Sequence, residues 1–318
     1  MKLFFELLNA PPEGGAWPLL RDFHHESRRT ADCASFLAFS GELAAAGSSE
    51  GLLDRLTAFY QTQGVGLLGM GQVFRARRAG DGAELVPVED RPPVRLADLV
   101  GYRQQKDLLI RNTEAFLRGK GSNNVLLYGD AGTGKSSTVK AICNEFAAEG
   151  LRLVEVKKNQ LYQIPDLMDK LAANPLKFIL FIDDLSFTAN DDNFAALKAI
   201  LEGSVGGRAR NIAVYATSNR RHLIKETLTD RTGDDIHEAD TRQELMSLSA
   251  RFGLTVTFQR PEKARFETIL AELAKQHGID MPMDQLLVKA EAFAIRAGGR
   301  SPRVAKQFIE QCEAGVQK

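Results

Sequence analysis

Cysteine is scarce in this chain. There are three, Cys33, Cys143 and Cys312, widely spaced and odd in number, a pattern that supports neither a disulfide framework nor a metal knuckle. A surplus of one charge is also missing. Lys plus Arg and Asp plus Glu stand at 41 each, so the chain as a whole is no electrostatic binder of nucleic acid, and any such activity has to sit in a local patch. No apolar run approaches the roughly 20 residues needed to cross a bilayer, so no membrane partner is expected. The opening MKLFFELLNAPPEGG starts like a leader, but Glu6 interrupts its short apolar stretch and no convincing small-residue cleavage site follows. The expected location is the cytoplasm. Internal repeats and low-complexity tails are lacking too. What remains, 44% hydrophobic and 26% charged over 318 residues, is an ordinary globular composition with room for two or three domains.

Residues 1–92 read as an N-terminal region. SFLAFSGELAAAG and GLLDRLTAFYQ carry apolar residues at helical spacing, and GQVFRARRAGDGAELVPV alternates like two strands around an AGDG turn, a hairpin. The Pro-rich, charged VEDRPPVR marks the boundary. Residues 93–260 then alternate helices with apolar strands: NNVLLYG, LRLVEVK, FILFID, NIAVYATSN and LTVTF. This is the signature of a parallel sheet covered on both faces. Residues 261–318 are helical to the end, in three segments.

GDAGTGKS, Gly129 to Ser136, satisfies G-x-x-x-x-G-K-[ST] and stands where that motif requires, after a strand and before a helix. Its glycines let backbone N–H groups curl around phosphate oxygens, and the helix N-terminus adds its positive end. Lys135 is placed to reach the β- and γ-phosphates and the Ser136 hydroxyl to ligate magnesium. The expected nucleotide contacts are Gly129, Asp130, Ala131, Gly132, Thr133, Gly134, Lys135, Ser136 and Ser137. GVGLLG, Gly64 to Gly69, satisfies G-x-G-x-x-G but follows a helical pattern, so it reads as a helix stop before the hairpin rather than a dinucleotide loop.

FILFIDD is a buried strand running into two acids, at the strand end where α/β sheets bind ligands. Asp183 is expected to hold magnesium and Asp184 to point at an attacking water; a helix cap accounts for one of them but less well for both. ATPases that end such a strand usually place Asp first and Glu second, and here the second acid is one methylene shorter. NIAVYATSN ends in Asn219, whose neutral amide can orient water and sense phosphate; alone, it reads as a turn residue. Arg251 closes a helical pattern before LTVTF, and Arg303 opens the last helix behind Ser301-Pro302; each alone reads as a surface cation.

Together these pieces resemble the AAA+ ATPases from about Leu96 to the C-terminus. In that resemblance GDAGTGKS is the Walker A motif, FILFIDD is Walker B and LADLVGY is the adenine-side segment, with Val100 and Gly101 beside the base. Asn219 fits sensor 1, Arg251 the arginine finger and Arg303 sensor 2. VGYRQQKDLLIRNTEAFLRG, GDAGTGKSS, FIDDLSF, YATSNRRHL and LSARFGL are more narrowly similar to a bacterial AAA+ family catalogued as domain of unknown function 815. The resemblance implies a P-loop α/β fold with a parallel five-stranded sheet ordered 5-1-4-3-2 and a C-terminal helical lid. It implies ATP and Mg2+ bound between copies of the chain in a ring or spiral. Lys135, Ser136, Asp183, Asp184 and Asn219 would come from one subunit, Arg251 from its neighbour, and Arg303 from the subunit's own lid. Bacterial helicase loaders and transposition ATPases of the class also carry Asp-Asp, which implies that turnover survives the shorter acid. An ATP-dependent scaffold that assembles with negligible hydrolysis is the alternative, and a small-molecule phosphotransferase the weaker third reading.

The client is not named by the sequence. Protein-threading members carry an aromatic-hydrophobic-Gly loop after the second strand, whereas VEVKKNQLYQIPDLMDK offers Tyr162 without a following Gly. In FRARR, Arg75 and Arg77 fall on one face that could meet nucleic-acid phosphate, although a hairpin charged for solubility is the commoner case. The segment 226–247 is acidic and turn-rich and fits a subunit-interface loop. His24-His25-Glu26 lacks partners at metal spacing, and Arg220 and Arg221 carry no firm role.

Overall fold

A computed structural model describes residues 39, 41–43, 45–80, 82–88, 94–186, 193–202, 209–219 and 250–316. The chain divides into two compact units, Met1–Met70 and Gly71–Lys318. In the first, helix α1 (Ser49–Gln63) is opened by Ser48, whose Oγ accepts from the Gly51 N–H at 3.0 Å. It stops at Gly64 (φ 79°), a conformation glycine adopts without penalty. Leu52 is fully buried, and the rings of Phe39 and Phe59 stack 3.8 Å apart. The GVGLLG stretch is therefore a helix stop followed by a short 3-10 turn, Gly66–Gly69.

The second unit begins with a hairpin, β1 (Val73–Ala79) and β2 (Gly82–Pro87). Helix α2 (Arg103–Leu117) leads to β3 (Val125–Gly129) and α3 (Lys135–Glu145). Then come β4 (Leu151–Val156), α4 (Ile164–Ala172), β5 (Lys177–Ile182), α5 (Asn193–Glu202), β6 (Ile212–Ser218) and β7 (Leu254–Phe258). The sheet has seven strands in the order β2-β1-β4-β5-β6-β3-β7, parallel throughout except for the hairpin. Its middle is buried on both faces: every residue of β6 and all but the first of β5 are buried, as a strand covered by helices requires.

Two expectations change here. The sheet is larger than the five strands anticipated, and the hairpin lies on the sheet's side of the chain, not with residues 1–70. Strand β1 pairs parallel with β4, Val73 opposite Leu153 and Arg75 opposite Glu155. The physical reason is twofold. Phe74 and Ala76 alternate inward and are 0% and 1% exposed, and the hairpin occupies a β4 edge that would otherwise present unpaired backbone.

Beyond β7, helices α6 (Lys263–Gln276), α7 (Met283–Arg296) and α8 (Pro302–Glu313) form a small body with its own core, including Phe266, Leu270, Leu286, Ala290, Phe308 and Ile309. The sheet core is separate, built from residues such as Leu109, Val125, Ile142, Phe181 and Tyr215. Among the described residues, no helix is long and apolar enough to cross a membrane.

Candidate functional site

Strand register assembles the site. Ile182 of β5 lies opposite Ala216 of β6, and Tyr128 of β3 lies opposite Ser218. The next residues along, Asp183, Thr217, Gly129 and Asn219, therefore emerge side by side at the C-terminal ends of three adjacent strands. Gly129 (φ 134°) turns so close to β7 that a Cβ there would meet the Phe258 carbonyl oxygen at 2.1 Å, and the Asp130 N–H donates to that same oxygen at 3.0 Å. Gly134 (φ 92°) has nothing within 4 Å of where a Cβ would stand. The loop is thus tied down at its start and open at the point where it enters α3, a concavity lined by backbone at a helix N-terminus. That shape fits phosphate.

Lys135 is buried, and its Nζ donates to the Gly129 and Asp130 carbonyls at 2.8 Å each and to Asn219 Oδ1 at 3.0 Å. Burial pushes its pKa down against the pull of Asp130, Asp183 and Asp184. Asn219 turns its Nδ2 to Asp184 Oδ1 at 2.8 Å. On the other side Asp183 Oδ1 accepts from Ser136 Oγ and from Thr217 Oγ1, both at 2.6 Å. Thr217 Oγ1 also accepts the Asp184 N–H at 2.9 Å, which secures Asp184 in the left-handed region at φ 53°. Both carboxylates remain exposed. A hydroxyl and a carboxylate in contact are hard oxygen donors suited to Mg2+, which takes few protein ligands and completes its shell with phosphate and water. Among the described residues, no group of three or more His, Cys, Asp or Glu could hold a metal by itself; Ser136 and Asp183 are the pair whose oxygens could share a magnesium ion with phosphate.

Helix α8 ends against this loop. Ser301 Oγ caps it by accepting the Val304 N–H at 3.2 Å, and the Arg303 N–H donates to the Gly132 carbonyl at 3.1 Å. A Cβ on Gly132 (φ 77°) would lie 3.0 Å from Ser301 Oγ and 3.3 Å from Arg303 Cβ, so glycine is what lets the helix come this near. Val100 packs on the core of the three-helix body, and a Cβ on Gly101 (φ 83°) would touch Ile269 Cδ1 at 3.2 Å. Tyr102 belongs to the sheet core, its ring 5.1 Å from that of Phe258, with burial raising its hydroxyl pKa to about 12. The segment 100–102 is therefore the seam where the two cores meet.

Other expected residues fall elsewhere. Arg251 precedes β7, whose first residue Leu254 pairs with Val125, whereas the loop-bearing end pairs Gly129 with Phe258. A four-residue rise along that strand is about 13 Å, so Arg251 sits at the opposite end of the sheet from its own chain's phosphate loop. Arg75 lies 3.9 Å from Glu155, and Arg77 Nε donates to Glu84 at 2.8 Å; acids already face both cations. Tyr162 is exposed, with its hydroxyl near Gln163 Nε2. Cys143 and Cys312 are free thiols. Arg220, Arg221, the segment 226–247, Cys33 and His24-His25-Glu26 lie outside the described residues. Thr217 and Arg260 were not singled out from sequence. Thr217 could have been found from its alignment opposite the end of FILFID, Arg260 only from the fold.

Residues 71–316 match the family described as "Protein of unknown function (DUF815)". The chain belongs to this family. The match starts where the second compact unit starts, so the family's extent includes the hairpin. The chain is also similar to the replication factor C large subunit of Staphylothermus marinus, 34% identical over 122 residues, covering 35% of this chain and 28% of that protein. The same subunit of Thermofilum pendens is 30% identical over 129 residues, covering 37% and 30%. The chain thus spans about three tenths of the length of these curated relatives. Among solved structures, the Thermotoga maritima RuvB Holliday junction branch migration motor is similar at 17% identity and a TM-score of 0.45, covering 69% of this chain and 64% of that one. A variant of the same Thermotoga maritima protein gives the same values.

Proposed function

We propose that this chain binds ATP with Mg2+ and hydrolyses it between copies of itself, using the cycle to remodel or load a macromolecular partner. The observation that carries this reading is the continuous hydrogen-bonded line from Lys135 through Asn219 to Asp184, beside the Ser136–Asp183 contact, at the mouth of a glycine loop. In this reading Val100 and Gly101 receive the adenine at the seam between the sheet core and the helical lid. Lys135 turns its ammonium from the loop carbonyls to the β- and γ-phosphates. Ser136 and Asp183 hold the magnesium, which when bound offsets phosphate charge. Asp184 accepts the proton of the attacking water, since a general base has to stand within hydrogen-bond reach of that proton, directly or through one water. Asn219 keeps the Asp184 carboxylate turned toward the phosphate, and Arg303 reports the γ-phosphate to the lid.

Arg251 acts in trans here. Its place at the far end of the sheet keeps it from its own loop and suits it to a neighbour's, where an arginine stabilises transition-state charge. A ring or spiral of subunits follows from that requirement. For the client, the carboxylates facing Arg75 and Arg77 weigh against a nucleic-acid surface on the hairpin, while the name of the replication factor relatives keeps nucleic acid in view. The second reading, an ATP-dependent scaffold or switch, draws on the fact that Asp184 Oδ1 is already engaged by Asn219.

The test is steady-state ATP turnover against protein concentration with magnesium, for wild type and Asp184→Asn. The proposal expects specific activity to rise with concentration, and the asparagine to cut turnover about a hundredfold or more while ATP still binds. Wild type binding ATP but turning over no faster than Asp184→Asn would establish the scaffold instead.

A further inference from the structure

We propose that Arg260 is a positioning residue that ties the phosphate loop to the three-helix body and so holds Arg303 over the loop. It deepens the ATPase reading in its effect on turnover, but the tie itself needs no nucleotide. Arg260 stands two residues past Phe258, the end of β7, and just before Pro261, where the chain passes from the sheet into α6. It engages both sides of that passage at once. Toward the loop, its backbone N–H donates to Asp130 Oδ2 at 2.8 Å and its Nε lies 3.7 Å from Asp130 Oδ1. Toward the helices, its Nη1 donates to the Gly298 carbonyl at 3.1 Å, in the turn between α7 and α8.

The turn is shaped around this guanidinium. Gly299 has φ 122°, and a Cβ there would stand 2.7 Å from Arg260 Nη1. The neighbouring Arg300 is committed elsewhere, its Nε donating to Glu291 at 2.9 Å. From Gly298 the chain runs at once into Ser301, which caps α8, and Arg303, whose N–H reaches the Gly132 carbonyl. Asp130 and Gly132 belong to the same loop, so Arg260 closes a circuit: loop, strand end, helical turn and loop again.

Stability is not what this circuit supplies. The Arg260 and Asp130 side chains are 54% and 46% exposed, and ion pairs that open to solvent contribute little to folding. What the fork geometry supplies is placement, because a planar guanidinium can face a carboxylate with one nitrogen and a carbonyl with another. A lysine gathers its donors on one nitrogen and lacks this rigid, spaced fork.

The experiment uses the full chain with Arg260→Ala and Arg260→Lys. Amide hydrogen exchange of residues 298–305, measured without nucleotide, should quicken about fivefold or more in both variants, with exchange in β5 and the thermal midpoint unchanged. In steady-state assays kcat should fall about tenfold while KM for ATP moves less than about twofold, and lysine should fail to rescue it. Arg260→Lys carries the test if the alanine variant does not fold. Quickened exchange in a protein whose wild type shows no turnover upholds the tie and defeats the ATPase reading. Unchanged exchange at 298–305 overturns the proposal, whether or not turnover falls.

Discussion

The two ends of the sheet are built from different chemistry. At the N-terminal ends of the strands, several polar side chains are neutral amides that serve mostly backbone. Asn124 Oδ1 accepts the Val214 N–H at 3.0 Å. Asn211 Nδ2 donates to the carbonyls of Leu171, Asn174 and Leu176 at 2.8 to 3.2 Å. Asn112 takes both the N–H and the carbonyl of Asn123, and also reaches Tyr215 Oη. At the C-terminal ends the groups are charged or hydroxylic apart from the amide of Asn219, and they bond largely to one another: Lys135, Ser136, Asp183, Asp184, Thr217 and Asn219. A side chain that only closes a backbone valence specifies the fold. Side chains that hold one another in an exposed cluster keep their charge available for something else. Three cations also stand at the amide end: Arg152 and Lys177, which donate to backbone carbonyls there, and Arg251.

Arg251 gives the sharpest way to break the comparison. Arg251→Ala should lower turnover about a thousandfold, and mixing it with a Lys135→Ala chain, which still carries Arg251, should restore part of the activity. No recovery on mixing would place Arg251 outside the neighbour's site and make it an ordinary resident of its own end. Thr217→Val comes next. It keeps the buried shape but removes the hydroxyl joining Asp183 to the Asp184 N–H, so kcat should fall about tenfold or more with folding stability down by about 1–2 kcal/mol. At the amide end the balance should invert. Asn211→Ala strands three carbonyls and should cost about 2 kcal/mol in urea unfolding, with ATP affinity unaltered; a loss of affinity at unchanged stability would erase the distinction. The smallest effect concerns Tyr215, whose hydroxyl, buried between Asn112 and Thr113, has its pKa raised to about 12 by desolvation. Because the folded value is raised, the unfolded chain sheds this proton first. Stability present below pH 10 is therefore lost as pH climbs toward 12. Tyr215→Phe should make that alkaline decline shallower.

Much of the charged end was readable because it is contiguous or sits at fixed strand ends. GDAGTGKS carries its own glycines, lysine and hydroxyl in one run, and FILFIDD announces a buried strand ending in acid. The apolar runs of β3 to β7 were readable for a similar reason, since burial on both faces leaves no polar alternation to confuse them. The hairpin's destination was not. FRARRAGDGAELVP alternates the same way whether it stands alone or joins a sheet, because period-2 patterning reports which face is buried and not which strand lies alongside. Thr217 went unmarked because its role exists only when β5 and β6 align Ile182 with Ala216. Asp130 and Arg260 meet across 130 residues of chain, and nothing local to either announces the other.

The backbone at position 184 favours a short acid. The backbone there turns to φ 53°, a region that aspartate and asparagine enter far more readily than longer side chains. A glutamate would bring its extra methylene at the cost of a conformation it resists, and would tend to unseat the Thr217 contact that orders both acids. The sharp bend is a conformation that aspartate fits and a longer acid resists.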